Sequence, residues 1–255
     1  CSSDLKREIT LLALGDGVST AKLGSGKEAS SILRKNIIEA FKEKASLLKD
    51  EISIKEFCSK VIAKSNIDII ESIKTKVDIT KETPSGIMAT TLILAVIVRN
   101  KMYYTSIGDS RLFIYSEKDG LNLLNYEDNV MNLKLANGMA WDKVVNSEGR
   151  YAITRYIGGG SFKDGNLYPR EFTISIHCLD LEPGQIIIIC SDGVTDYINK
   201  SYYNDDLWKV TESLEKIIKE NKEKSLDVLN NKIITEANLN GGGDNITIIT
   251  SKVLK

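Results

Sequence analysis

The sequence predicts an α+β fold in which antiparallel sheets carry helices packed on their outer sides. Three observations predict it. Along the 255 residues the order is strand, two helices, several strands, two helices, strand, which lacks the regular alternation of a doubly wound parallel sheet. The central strand, Ile186-Ile187-Ile188-Ile189-Cys190, is apolar throughout instead of alternating, so it is expected to be buried on both faces. No internal repeat or low-complexity linker divides the chain, so a single domain over residues 1–255 is expected.

The elements follow in order. Ile9 to Leu14 reads as a first buried strand ending at Asp16-Gly17. The loop after it contains Gly24-Ser25-Gly26-Lys27, which looks like a phosphate-binding loop. Position 21 is Ala where that motif needs Gly, and Glu28 stands where Ser or Thr would bind magnesium, so a nucleotide loop is rejected. A helix follows with Ala29, Leu33, Ile37, Ile38, Phe41, Ala45 and Leu48 on one face. A second helix runs from Ile54 to Val77, striped by Phe57, Cys58, Val61, Ile62, Ile69, Ile70 and Ile73, with an interruption expected near Ser65-Asn66. Pro84-Ser85-Gly86 turns the chain to strands, and Ile87–Val98 pairs with Met102–Ile107 across Arg99-Asn100-Lys101. Leu112 to Tyr115 continues, and Lys118-Asp119-Gly120 reverses the chain again. Glu127 to Arg155 reads as a short helix with connections, a position suited to a flap over a site. Strands return at Phe172–Cys178 and Gln185–Cys190. Helices Leu207–Lys219 and Ser225–Ala237 precede Gly241-Gly242-Gly243 and a last strand, Ile246–Thr250.

Composition excludes several classes. With 34 basic and 35 acidic residues the net charge is −1, which gives no electrostatic case for nucleic acid or an anionic membrane. No apolar run reaches the ~20 residues that span a bilayer. Cys1, Cys58, Cys178 and Cys190 form no CxxC pair and three lie in apolar patterns, so reduced core cysteines and a cytoplasmic setting are expected. The chain begins at Cys1 without Met, and a truncated N-terminal strand is expected there. His177, the single histidine, lies mid-strand, which argues against a His/Cys zinc site and a Ser-His-Asp triad.

The chemistry is concentrated in four acids. Asp16, Asp109 and Asp192 each end an apolar run beside a glycine, and Asp244 precedes the last strand within Gly243-Asp244-Asn245. An isolated Asp-Gly is usually a turn. Four such acids gathered together would repel one another unless cations neutralised them, and hard oxygen ligands suit Mg²⁺ or Mn²⁺. Gly17, without a Cβ, lets its backbone approach an ion and offer a carbonyl.

In order, Asp16-Gly17, Gly86 with Thr90-Thr91-Leu92, Ile107-Gly108-Asp109-Ser110-Arg111, Cys190-Ser191-Asp192-Gly193 and Gly242-Gly243-Asp244-Asn245-Ile246-Thr247 resemble the signature of the PP2C (PPM) family. These are metal-dependent serine/threonine protein phosphatases, and the resemblance, to the bacterial type, covers about Asp4 to Val253. It implies a four-layer α/β/β/α sandwich, two central antiparallel sheets flanked by helices. It implies that Asp16, Asp192 and Asp244 are catalytic through two Mn²⁺ or Mg²⁺ ions. Asp16 would bridge both ions, Gly17 would lend its carbonyl, and Asp192 and Asp244 would hold the first. Asp109, with Asp192, matches a third-metal position, and Asp4 matches an aspartate standing behind the ligands. Val144 to Lys163 corresponds to part of the variable flap. The implied reaction is hydrolysis of phosphoserine or phosphothreonine by a water bridging the two ions, without a phosphoenzyme. The implied partner is a phosphoprotein made by a Ser/Thr kinase, met by a monomer. The sequence departs from the family at its start: no arginine precedes Asp4, Ser3 replaces an acid, and Val18 stands where some relatives carry histidine. The alternative is a catalytically weak or inactive PP2C-like binding or regulatory module. The missing arginine favours it, and the retained Asp16, Asp192 and Asp244 oppose it.

Overall fold

The chain alternates between helix-capping residues and apolar runs, and its elements follow those signals. The structure, a computed structural model, describes residues 2–4, 9–75, 86–164, 166–171, 173–199 and 207–254. Among these the order is β1 (Ser2–Asp4), β2 (Ile9–Leu14), α1 (Gly26–Lys44), α2 (Glu51–Lys74), β3 (Leu92–Val98), β4 (Lys101–Ile107), β5 (Arg111–Ser116), β6 (Gly120–Leu123), α3 (Val130–Ala136), α4 (Trp141–Val145), β7 (Gly160–Lys163), β8 (Asn166–Pro169), β9 (His177–Asp180), β10 (Ile186–Cys190), α5 (Asp192–Thr195), α6 (Leu207–Asn221), α7 (Leu226–Leu239) and β11 (Ile248–Lys252). Two compact units result, Cys1–Gly108 with Ile153–Asp180, and Asp109–Ala152 with Leu181–Lys255. Among the described residues no helix is long and apolar enough to cross a membrane.

The first unit holds a five-stranded antiparallel sheet, ordered β1-β2-β3-β4-β9. Ser25 caps α1, and Asp50 with Ser53 forms a capping box at α2, satisfying donors that the first helical turns leave open. The apolar stripes of both helices, Leu33, Ile37, Phe41, Phe57, Val61, Ile62 and Ile69 among them, share one core with Ile9, Leu11, Leu92, Leu94 and Val96. On the other sheet face Leu12, Leu14, Ile93 and Ala95 are buried too, which is why these strands read as continuous apolar runs.

Three expectations here need correction. The strand expected from Ile87 starts at Leu92; Ile87 and Thr90 make single bridges, to Leu23, Gly17 and Ile157, because an apolar run alone does not distinguish a ladder from packed extended chain. Ser65 and Asn66 do not interrupt α2. Both are buried tie points: Asn36 Nδ2 donates to Ser65 Oγ at 3.3 Å, Asn66 Nδ2 donates to the Arg170 carbonyl at 2.7 Å, and Asn66 Oδ1 accepts from the Gly158 N–H at 2.8 Å. The strand expected over 172–178 begins at His177 and forms a sheet edge, so Cys178 is exposed and is not a core thiol. His177 stacks on Tyr104 with ring centroids 5.2 Å apart. Cys1, Val77, Pro84, Ser85 and Phe172 lie outside the described residues.

The second unit holds a four-stranded antiparallel sheet, ordered β11-β10-β5-β6. β10 is central, buried in all five residues, as its composition predicts. Phe113, Tyr115, Ile186, Ile188 and Cys190 face α6 and α7 through Leu214, Ile218, Leu229 and Ile233. Leu112, Ile187 and Ile189, on the opposite face, are buried as well. Ser225 caps α7 as its position suggests. The expected helical stretch in 127–155 resolves into α3 and α4. β11 begins at Ile248, two residues later than expected, because Thr247 is already engaged by Ser191.

Candidate metal centre

Register decides where the acids fall. In the four-stranded sheet Cys190 pairs with both Arg111 and Ile248, so β5 starts, β10 ends and β11 starts at the same sheet end. Asp109 and Asp244, on the connections that lead into β5 and β11, and Asp192, the first residue of α5, therefore lie at that end. In the five-stranded sheet Leu14 pairs with Ile93 and Leu92 with Ile107. The end of β2, with Asp16, thus shares one sheet end with Thr90-Thr91 and Gly108.

Backbone bonds fix the Asp16 turn. Its N–H donates to Thr91 Oγ1 at 2.9 Å. Its carbonyl accepts from Thr90 Oγ1 at 2.9 Å and from the Thr91 N–H at 2.8 Å. Thr90 and Thr91 are buried, and Thr90 is itself held by paired backbone bonds with Ile157, both 2.9 Å. Gly17 is pressed against the first residue of α1: a Cβ there would lie 2.2 Å from the Gly26 carbonyl carbon. With its main chain anchored on every side, the Asp16 carboxylate is presented by a rigid support.

The turns of the second unit are tied to one another. Ser191 Oγ donates to the Asn245 carbonyl at 3.1 Å and accepts from the Thr247 N–H at 3.1 Å. A Cβ on Gly193 would meet the Asn245 carbonyl oxygen at 2.3 Å, so this Gly permits the close approach of the two acid-bearing loops. The Asn245 N–H donates to Asp244 Oδ1 at 2.6 Å, aiming that exposed carboxylate back along its own turn. Oδ1 of Asp192 is buried.

Sequence reading missed the Arg111–Glu127 pairing and Asp196 here. Arg111 is nearly buried and pairs through Nε with Glu127, whose other oxygen accepts from Asn129 Nδ2 at 2.9 Å. Burial opposes the guanidinium charge, but Glu127, then Asp196, hold its pKa above the ordinary value. The two partners are 16 residues apart, so no local pattern announces them. Asp196 is pushed up to about 6, first by desolvation, then by the negative charges of Asp192, Glu127 and Asp244, against the pull of Arg111. Its side chain is open to water on one side, which screens part of that repulsion. Spacing could have found it: four residues after Asp192, it is that acid's neighbour one helical turn on.

The donor set suits a hard divalent cation: carboxylates and backbone carbonyls, in an excess of negative charge that one buried guanidinium does not balance. Among the described residues no three His, Cys, Asp or Glu side chains stand close enough to hold an ion by themselves. Octahedral Mg²⁺-type ions take one or two carboxylates and keep several waters, so a dense carboxylate cage is not required. Asp192 and Asp244 are brought into one electrostatic field, that of Asp196, and Asp109 shares their sheet end. Asp16 and Gly17 belong to the other unit. Asp4 lies in β1 by its backbone, and its side chain is outside the described residues.

Antiparallel sheets flanked by helices, with acids gathered at the strand ends, define an α+β protein with candidate oxygen donors at its sheet ends. The chain belongs to the protein phosphatase 2C family, whose model matches residues 1–231, and by family it is a protein phosphatase. The turn bearing Asp244 lies beyond that matched span. The chain is similar to the serine/threonine phosphatase stp of Listeria innocua, with 24% identity over 245 residues, 96% of this chain and 84% of the relative. The fold is shared with the Streptococcus agalactiae serine/threonine phosphatase, at a TM-score of 0.73 and 22% identity, covering 98% of this chain and 89% of that one. It is shared too with the catalytic domain of the serine/threonine phosphatase PstP in complex with two manganese ions, at a TM-score of 0.66 and 18% identity, covering 100% and 94%.

Proposed function

We propose that the protein hydrolyses phosphoserine and phosphothreonine in phosphoproteins, using two Mn²⁺ or Mg²⁺ ions held by Asp16, Gly17, Asp192 and Asp244. Asp109, with Asp192, would serve a third ion. The observation that carries this reading is the gathering of Asp109, Asp192 and Asp244 at one sheet end, beside Asp196, which desolvation first and then the charges of Asp192, Glu127 and Asp244 push up to about 6. A scaffold gains nothing from such repulsion, whereas a cation relieves it. When bound, the two ions activate a water for attack on phosphorus and offset the charge developing on the phosphoryl oxygens.

The chain's own residues supply orientation. Thr90 and Thr91 fix the Asp16 peptide, so the carboxylate does not reorganise when charge shifts. Ser191, Gly193 and Asn245 hold the Asp192 and Asp244 turns together. Arg111 is buried against Glu127 and is therefore not the group that grips phosphate. The substrates that fit are phosphoproteins produced by a serine/threonine kinase.

The test is hydrolysis of p-nitrophenyl phosphate and of a phosphothreonine peptide, each with and without Mn²⁺. Metal-stimulated turnover of the peptide is expected. No metal-stimulated signal on either substrate would instead support a PP2C-like regulatory module.

A further inference from the structure

We propose that Gly26, the first residue of α1, is a positioning residue for the metal donors of the Asp16-Gly17 turn, acting by backbone contact with Gly17. The inference rests on the metal-dependent reading above. A Cβ at Gly26 would lie 2.4 Å from the Gly17 carbonyl carbon, 2.5 Å from its oxygen and 2.7 Å from the Val18 oxygen. In return, a Cβ at Gly17 would lie 2.2 Å from both the carbon and the oxygen of the Gly26 carbonyl. Each contact is main chain against main chain, so no side-chain rotation relieves it. Adding one methyl group at position 26 must displace the Gly17 carbonyl or the start of the helix.

Backbone freedom does not explain this glycine. Gly26 is not among the residues with positive φ, and alanine is the better helix former inside a first turn. Its requirement is the close approach. The start of α1 cannot easily retreat either. Ser25 caps it by accepting from the Glu28 N–H at 3.2 Å, and Glu28 Oε1 accepts from Ser72 Oγ of α2 at 2.6 Å. Thr90 and Thr91 block the other side of the turn through their bonds to the Asp16 peptide. The Asp16-Gly17 peptide is therefore held between two fixed walls, and Gly26 sets its distance from one of them. The Gly24-Ser25-Gly26-Lys27 stretch, so like a phosphate-binding loop in sequence, is used here to bring a helix start onto a carbonyl.

The experiment titrates MnCl₂ into the metal-free wild type and Gly26→Ala by calorimetry, and follows p-nitrophenyl phosphate turnover against Mn²⁺ concentration. Displacing a ligand's support should raise the Mn²⁺ dissociation constant by about 10–100-fold, with kcat largely recovered at saturating Mn²⁺. A purely structural role would lower the folded fraction and leave that constant unchanged. Gly120→Ala is the comparison: it strains a turn at φ +71, at the end of β5 away from Asp109, and should lower the melting temperature without moving the Mn²⁺ constant. If Gly26→Ala does not fold, Ser25→Ala decides, because it loosens the helix start without adding atoms and should shift the Mn²⁺ constant in the same direction by less. A folded Gly26→Ala protein, or failing that Ser25→Ala, with the wild-type Mn²⁺ constant overturns the proposal. Absence of Mn²⁺ binding by the wild type would overturn the metal-dependent reading itself, a separate and visible outcome.

Discussion

The two sheet ends that carry the acids are built in opposite ways. In the first unit one acid, Asp16, sits on a turn held by neutral groups: two threonine hydroxyls, backbone bonds and a glycine–glycine contact. In the second unit Asp192, Asp196 and Asp244 share a field with Glu127, and one buried guanidinium, Arg111, opposes them. The first end is rigid and nearly free of charge conflict. The second stores repulsion that a cation would relieve. Substitutions at the two ends should therefore fail differently.

The largest effect belongs to the charged end. Asp192→Asn should cut Mn²⁺-dependent phosphopeptide hydrolysis by about 100-fold or more, the scale seen when a preorganised charge-stabilising group is removed. Wild-type turnover in that variant would remove Asp192 from the site. Next comes Glu127→Ala, which leaves the Arg111 charge buried and unpaired. A stability loss of about 3–5 kcal/mol by urea denaturation is expected. A loss of about 1 kcal/mol or less, as for exposed pairs, would mean that water reaches Arg111 and that the charge conflict is weaker than described.

At the neutral end the expected losses are smaller. Thr90→Val removes a buried hydroxyl that donates to the Asp16 carbonyl and should cost about 1–3 kcal/mol, with weaker Mn²⁺ binding alongside. Unchanged Mn²⁺ binding in a destabilised Thr90→Val protein would break the link between that clamp and the site. The smallest effect is a pH dependence. Asp196 is raised from 3.8 to about 6 in the folded protein, so between these values the folded chain holds a proton that the unfolded chain releases. Stability of the metal-free protein from this group is therefore fully present below pH ~4 and lost as pH rises toward ~6. Because water reaches the side chain, the slope is modest, and it is read as the difference between wild type and Asp196→Asn in EDTA. Identical pH profiles for the two would contradict the crowding of charge around Asp196.

The sequence showed the central strand and the acids because their signals are local. Ile186 to Cys190 is an unbroken apolar run, and it is buried throughout. The helix start at Ser225 was visible in the same way, since a hydroxyl before an amphipathic stretch meets the first open N–H groups. What escaped depends on tertiary partners. Ser65 and Asn66 look like breaks until Asn36, Gly158 and Arg170 are seen against them. The apolar residues before Leu92 carry no sign that they make single bridges and no ladder. The candidate acids were legible, but the contacts that support them were not. The Arg111–Glu127 pair and the Gly17–Gly26 contact join positions with no periodic relation in the chain.

The central proposal is that Asp16 and Asp192 serve the same divalent ions. It is tested most directly by Mn²⁺ binding stoichiometry and electron paramagnetic resonance on wild type, Asp16→Asn and Asp192→Asn. The account predicts at least two bound Mn²⁺ in the wild type with spin coupling between them, and loss of that coupling in each variant. Full, coupled Mn²⁺ binding by Asp16→Asn would contradict it.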